Sequence, residues 1–230
     1  MLKKRLLSIA KYVPKDSKVA DIGCDHAYLA IYLVKNDIAK TVIASDIVAG
    51  PLEAAKKNVV RTNMQDKICV RQSDGLKNIV PGEVDCVVMA GMGAGTIMEI
   101  LDKGSEVLKQ CHTVIVQPMI GSEMLREYFP SKGWRIVQED LCLENNKLYE
   151  IIVAKPEVQA TLPSLLGKYI GMLTEHELFQ MYLENLIRTQ ESMLKALNLA
   201  KDKQSVADKV AYTEMLLLML RKESEKHNES

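Results

Sequence analysis

The chain has 230 residues, enough to bury one good core and carry a small appended domain. Hydrophobic residues make up 47% and charged residues 26%, the balance of a soluble globular protein, and no apolar run reaches the roughly 18 residues that would span a bilayer. Lys plus Arg and Asp plus Glu number 30 each, so net charge is zero; this excludes wholesale attraction to nucleic acid and leaves only local basic patches.

In chain order, Met1-Leu2-Lys3-Lys4-Arg5 opens an amphipathic helical pattern over residues 3–12 instead of a signal-peptide core, so a cytoplasmic location is expected. Lys3, Lys4, Arg5, Lys11, Lys15 and Lys18 face only Asp16 in this stretch, and Lys56, Lys57 and Arg61 form a second basic cluster. A solvated helix face is the bland reading of both, and contact with phosphates the sharper one. Cys24, Cys69, Cys86, Cys111 and Cys142 are odd in number and scattered without a C-x-x-C pair, which predicts reduced thiols and no metal site. Cys69, Cys86 and Cys111 lie in or beside apolar stretches and are read as small core residues.

Short β-branched runs at 18–22, 41–45, 68–71, 84–89, 113–117, 134–143 and 149–154 are candidate strands. Between them, 26–35, 51–63, 94–101 and 123–130 have helical spacing, and Pro51 suits a first helical position. Such alternation predicts an α/β fold: a seven-stranded, mostly parallel sheet covered on both faces. The last two strands are separated only by Glu144-Asn145-Asn146-Lys147, which predicts an antiparallel hairpin. From Thr161 onward strand signals cease. Thr174 with Glu177 and Ser205 with Asp208 are capping-box patterns. Phe179, Leu183, Leu186, Gln190, Met193, Leu197 and Ala200 step by four and three, as do Val206, Val210, Thr213, Leu217 and Leu220. That spacing predicts two helices packed as an antiparallel coiled-coil hairpin turning at 201–204. The expected domains are therefore 1–160, built on the sheet, and 161–230, helical.

In an open parallel sheet, ligands bind beyond the carboxyl ends of the strands. The first strand ends in Asp21-Ile22-Gly23-Cys24-Asp25-His26, where Gly23 permits a tight turn. Asp25 stands where a dinucleotide fingerprint would have its second glycine, and a carboxylate there repels a pyrophosphate. S-adenosylmethionine, which has a sulfonium and no phosphate, fits this loop better than NAD. The second strand ends in Asp46, 25 residues past Asp21, followed by Ile47, at the place where a ribose is held. The third ends in Asp74-Gly75, within reach of an adenine amine, and the fourth in Ala90-Gly91-Met92-Gly93-Ala94-Gly95. Three acids at successive strand ends exceed what turns require. The sheet ending in a hairpin reversal is also the layout of Rossmann-like class I methyltransferases.

The strings ADIGCDHAYL at 20–29, SDGL at 73–76, AGMG at 90–93, Gln117-Pro118 and Tyr149-Glu150 resemble the bacterial TrmK family over essentially the whole chain. Its members are tRNA methyltransferases acting on N1 of the adenine at position 22, and they carry a C-terminal helical coiled-coil domain. The resemblance implies a cofactor site of Asp21, Gly23, Cys24, Asp46, Ile47, Asp74, Gly75, Ala90, Gly91 and Met92, and a substrate face of Gly93, Gln117, Pro118 and Tyr149. Two positions depart from the family pattern: Ala94 replaces the glycine of AGMGG, and Met119 replaces the asparagine of Gln-Pro-Asn.

Adenine N1 has its own lone pair, so transfer needs no strong base; the ring becomes cationic, and a nearby carboxylate stabilises that charge. Asp25, with His26 beside it, is the candidate catalytic pair, against the bland reading of Asp25 as a helix cap. An Asn/Asp-Pro-Pro-aromatic motif, common in enzymes that methylate exocyclic amines, is absent from the fourth strand end, which agrees with a ring-nitrogen target. The expected partner is tRNA, met by the basic N-terminal helix; a monomer is expected, with a dimer left open. Two other classes stay open: a methyltransferase for a small molecule or protein, and a non-catalytic nucleotide-binding module.

Overall fold

The computed structural model describes residues 2–157, 161–200, 202 and 204–229. The chain divides into two compact units, Met1–Leu162 and Pro163–Ser230. The division falls just after the expected boundary, where residue 160 itself lies outside the described residues.

The first unit is built on seven strands: β1 (Ser17–Ile22), β2 (Ala39–Asp46), β3 (Ile68–Gln72), β4 (Cys86–Met92), β5 (Thr113–Pro118), β6 (Arg135–Glu144) and β7 (Lys147–Lys155). Their spatial order is β3-β2-β1-β4-β5-β7-β6, with β7 antiparallel to both neighbours. Helices α1 (Lys4–Ala10), α2 (Tyr28–Lys35), α3 (Ala49–Arg61), α4 (Ala94–Lys103), α5 (Ser105–Leu108) and α6 (Ser122–Ser131) cover the faces. Side chains alternate across a strand, so one run feeds two cores. Val19, Cys86, Val88, Ile115, Ile151 and Val153 join the helices α1 to α3 on one face. Their neighbours Ala20, Val87, Met89, Val114, Val116 and Ile152 join α4 to α6 on the other.

Several boundaries differ from the sequence expectation for local reasons. β4 starts at Cys86 and runs on to Met92, because Ala90 and Met92 still pair with β5 across a bulge, with Gly91 at φ 79°. α3 starts at Ala49, so Pro51 lies within its first turn and not at its first position. The β6–β7 hairpin closes on Asn145 and Asn146 alone, with φ of 50° and 59°, the signs a type I′ turn requires. Cys69 is exposed and not in the core, since β3 is an edge strand; all five cysteines are free.

In the second unit, α7 (Leu165–Ile170), a helix not expected from the sequence, is capped by Ser164, whose Oγ accepts from Gly167 N. α8 (Phe179–Asn198) and α9 (Ala207–Glu229) run antiparallel: Gln180 Nε2 donates to Ser224 Oγ at 3.1 Å, Arg221 pairs with Glu191 at 2.6 Å, and Phe179 meets His227 edge-on. Phe179, Leu183, Gln190, Thr213, Leu217 and Leu220 are buried as their spacing predicts; Met193 is 49% exposed, and Leu216, outside the pattern, is buried. Neither capping box forms. Thr174 precedes a turn and α8 begins only at Phe179. Ser205 Oγ donates to the carbonyl of Asp202, whose carboxylate accepts from Gln204 N and Ser205 N instead. Of the expected turn at 201–204, residues 201 and 203 lie outside the described residues. No helix among the described residues is long and apolar enough to cross a membrane.

Behind the β6–β7 hairpin, Arg126 of α6 is buried with Nε on Glu139 at 2.7 Å and Nη2 on Glu150 at 2.8 Å, and Ser122 Oγ donates to Glu150 at 2.6 Å. Removing the cation from buried carboxylates is strongly unfavourable. Arg126→Ala is therefore expected to lower unfolding free energy by about 3–5 kcal/mol in urea titration, with the sheet content of the remaining folded protein unchanged.

Candidate functional site

Strand order reverses at β1, with β2 on one side and β4 on the other, which places a crevice beyond their carboxyl ends. A cavity of about 890 Å³ opens there, lined by Asp21, Gly23, Cys24, Asp25, His26, Ala90 and Gly91, together with Arg5, Tyr28 and Lys35.

The loop after β1 is set by the second strand. Gly23 N and Cys24 N both donate to Ser45 O, at 2.8 and 2.9 Å, and Gly23 takes φ 72° to allow it. The next three residues, Asp25, His26 and Ala27, are all left-handed, at φ 32°, 36° and 57°. Each costs about 1–3 kcal/mol for a residue other than glycine. The loop is held by Ala27 N on Cys24 O and by Asn58 of α3, whose Nδ2 donates to His26 O at 2.9 Å. Asp25 caps nothing: the residue before α2 is Ala27, with no side-chain cap. Instead its carboxylate lies 3.2 Å from His26 Nε2, both side chains being open to solvent.

Asp21 is the buried acid of the crevice, 5% exposed. Among the described residues none donates a hydrogen bond to its Oδ2. Burial pushes its pKa up to about 7; the backbone N–H of Ala30 pulls it down and the Asp46 carboxylate pushes it further up. Cys24 is likewise pushed up to about 12 by burial, with Asp21 and Asp46 adding to it, so its thiol is no nucleophile. Asp46 spends Oδ1 on Val48 N at 3.0 Å, and Ile47 beside it is 58% exposed, an apolar surface at the strand tip.

The other expected residues divide. Met92 lies against Gly23, its Cε where a Cβ would sit, and Gly93 precedes α4. Asp74 is exposed and lines a separate hollow of about 520 Å³ with Lys77 and Lys103, while Gly75 beneath it packs on Ile100. Gln117 is fully buried, with Nε2 donating to Pro118 O at 2.7 Å and Oε1 accepting from Arg5 Nη1. The Arg5 guanidinium also lies 5.4 Å from the Tyr149 ring centroid and beside Gly91. Arg5 thus joins Gly91, Gln117 and Tyr149, a role that a basic run does not reveal; Asn58 was equally silent, being one polar residue on a helix. Ala94 N donates to Ile120 O and Met119 N to Met92 O, so the two departures from the family pattern sit on adjoining loops. No His, Cys, Asp or Glu cluster among the described residues suits a metal.

A family model described as a methyltransferase domain matches residues 2–152. The chain is 32% identical over 226 residues to the tRNA (adenine(22)-N(1))-methyltransferase of Bacillus subtilis, covering 94% of this chain and 95% of the relative. The crystal structure of the B. subtilis M1A22 tRNA methyltransferase TrmK superposes with TM-score 0.89 at 30% identity, over 97% of this chain and 99% of that one. A putative tRNA (m1A22) methyltransferase of Streptococcus pneumoniae, solved in complex with S-adenosyl-L-methionine, gives 0.82 at 30% identity over 94% and 100%.

Asp21 supplies a test. Its folded pKa, near 7, lies above the ordinary 3.8, so its stabilising effect is complete below about pH 4 and is lost as pH rises through 7. Without ligand, Asp21→Asn should match the parent at pH 4 and exceed it by up to about 4 kcal/mol at pH 8 in denaturant titrations. A constant difference across that range would contradict the assignment.

Proposed function

The chain belongs to the methyltransferase-domain family and, within it, to the bacterial TrmK family, and we infer that it methylates N1 of adenine 22 in tRNA with S-adenosylmethionine as donor. The observation that carries the cofactor is Asp21 Oδ2, a buried carboxylate oxygen with no donor among the described residues, facing the crevice. The loop amides that would cradle a diphosphate, those of Gly23 and Cys24, are already given to Ser45 O. An anionic floor without free amides fits a cationic, phosphate-free ligand and rejects a dinucleotide.

Asp21, Gly23, Asp46, Ile47 and Met92 would hold the cofactor, with Asp46 accepting from ribose hydroxyls; Asp74 and Gly75 lie further out, toward its adenine. S-adenosylmethionine, when bound, supplies an electrophilic methyl group on a positively charged sulfur. The chain's own work is to admit a flat base beside Gly91, keep it in line, and face the charge that forms on it. Asp25, fixed by the strained turn and paired with His26, puts a carboxylate at the crevice wall for that purpose. Gly93, Gln117, Pro118 and Tyr149 make up the base side. Lys3 and Lys35 line the same cavity, which favours a polyanion over a small neutral substrate. We assign catalysis to residues 1–160 and a supporting role in tRNA contact to the helical part from 161, and place the monomeric enzyme in the cytoplasm, where five free thiols are at home.

Incubation with unmodified tRNA and cofactor should give one new reverse-transcription stop, at adenine 22. Methyl label entering proteins or metabolites instead, with tRNA unmarked, would reject the assignment. Asp46→Ala removes a charge-assisted hydrogen bond of about 1.5–3 kcal/mol, so calorimetry should show cofactor affinity falling about 10- to 150-fold. Asp25→Ala should reduce turnover far more than cofactor affinity; equal losses would make it a structural residue only.

A further inference from the structure

Two other arginines of the first unit order their surroundings through carboxylates: Arg126 with Glu139 and Glu150, and Arg71 with Glu83. Arg5 does not. Among the described residues its guanidinium makes no ion pair; its partners are the neutral Gln117 Oε1 and the face of Tyr149. Gly91 lies beside it, and a Cβ added there would come within 3.3 Å of Arg5 Nη1, so the guanidinium rests in its slot close against the glycine backbone.

The orientation of the Gln117 amide is fixed independently. Its Nε2 donates to Pro118 O, an atom that only accepts, which leaves Oε1 turned to Arg5, a group that only donates. The slot therefore offers an acceptor at its end and an aromatic face on its side. Lys147 Nζ lies 5.6 Å from the same Tyr149 ring, so this face already attracts cations. A ligand matching the slot is planar, has an N–H donor on its edge and tolerates or acquires positive charge. Guanidinium has all three properties. So does adenine, whose exocyclic amine would donate to Gln117 Oε1 and whose ring turns cationic on N1 methylation; guanine presents an oxygen at that edge and would meet the acceptor unfavourably.

We propose that the Arg5 side chain is a resident stand-in for the target adenine, filling the slot between Gly91, Gln117 and Tyr149 until the base displaces it. This rests on the tRNA adenine-N1 reading above. Two consequences of the geometry support displacement over coexistence. A fixed cation beside a ring that is gaining positive charge would oppose the reaction. And Gln117 is fully buried, with Arg5 occupying the approach to its Oε1, so a substrate reaches that acceptor by taking the place of Arg5. The slot is then selective for a 6-amino purine through Gln117, and Arg5 keeps the buried acceptor satisfied when no RNA is bound.

The test uses the full chain with unmodified tRNA at saturating S-adenosylmethionine. Wild-type turnover at adenine 22 is measured first; its absence would refute the underlying reading before any variant is compared. In Arg5→Ala the slot no longer has to be emptied, so KM for tRNA should fall about fivefold, with kcat within about twofold. Guanidinium chloride at a few tens of millimolar should then inhibit Arg5→Ala competitively with tRNA, and leave the wild type unaffected relative to sodium chloride at equal ionic strength. A kcat loss that guanidinium restores would overturn the proposal by making Arg5 a working part of the site. Equal responses of variant and wild type would overturn it by showing that the slot is not the base's. Arg5→Met, which keeps the aliphatic stem, is run in parallel, so that a folding defect of the alanine variant leaves the comparison intact.

Discussion

Two hydrogen bonds, from Gly23 N and Cys24 N to the single carbonyl of Ser45, set the shape of the loop that borders this crevice. They tie the tip of β1 to the tip of β2, and they use the amides that in related folds would face a phosphate. With those amides spent, the charged side chain that β1 itself brings to the crevice is the Asp21 carboxylate. Asp21 is buried there at an energetic cost that shows in its raised pKa, and Asp46 sits near enough to raise it further. A cationic ligand placed here would relieve both effects.

The same carbonyl starts the strained segment that follows. With Gly23 and Cys24 pinned, the chain reaches α2 through three left-handed residues, and Asn58 holds the second of them by its carbonyl. The strain is local and costs stability, yet it turns Asp25 and His26 toward the cavity, where a regular helix start would have spent Asp25 on a cap. At the neighbouring tip of β4, the bulge at Ala90–Met92 brings Gly91 against the Arg5 guanidinium.

Much of this was legible in the sequence because it obeys local rules. Short apolar β-branched runs mark all seven strands, and of the acids at their ends Asp21 lines the crevice. Boundaries moved where pairing extended a strand past its apolar run, as in β4 and β7. The capping boxes failed because Asp202 caps its turn with its own carboxylate, and because nothing in Thr174–Glu177 competes with the turn that precedes Phe179. Asp74 shared the strand-end position of Asp21 but not its burial, since β3 is an edge strand; Asp46, on the strand between, is half-buried. Arg5 and Asn58 were hidden for a different reason: each acts across more than thirty positions of sequence, and neither spacing nor composition encodes such a contact.

The buried Arg126 has a bearing on how the sheet finds its pairing. Its two partners, Glu139 and Glu150, stand on adjacent antiparallel strands, and side chains on a strand change face with every residue. A slip of one position in β6 would swing Glu139 to the opposite face and cost Arg126 one of these two carboxylates. The ion triad therefore ties α6, β6 and β7 to one alignment, the one that sets Tyr149 opposite Cys142.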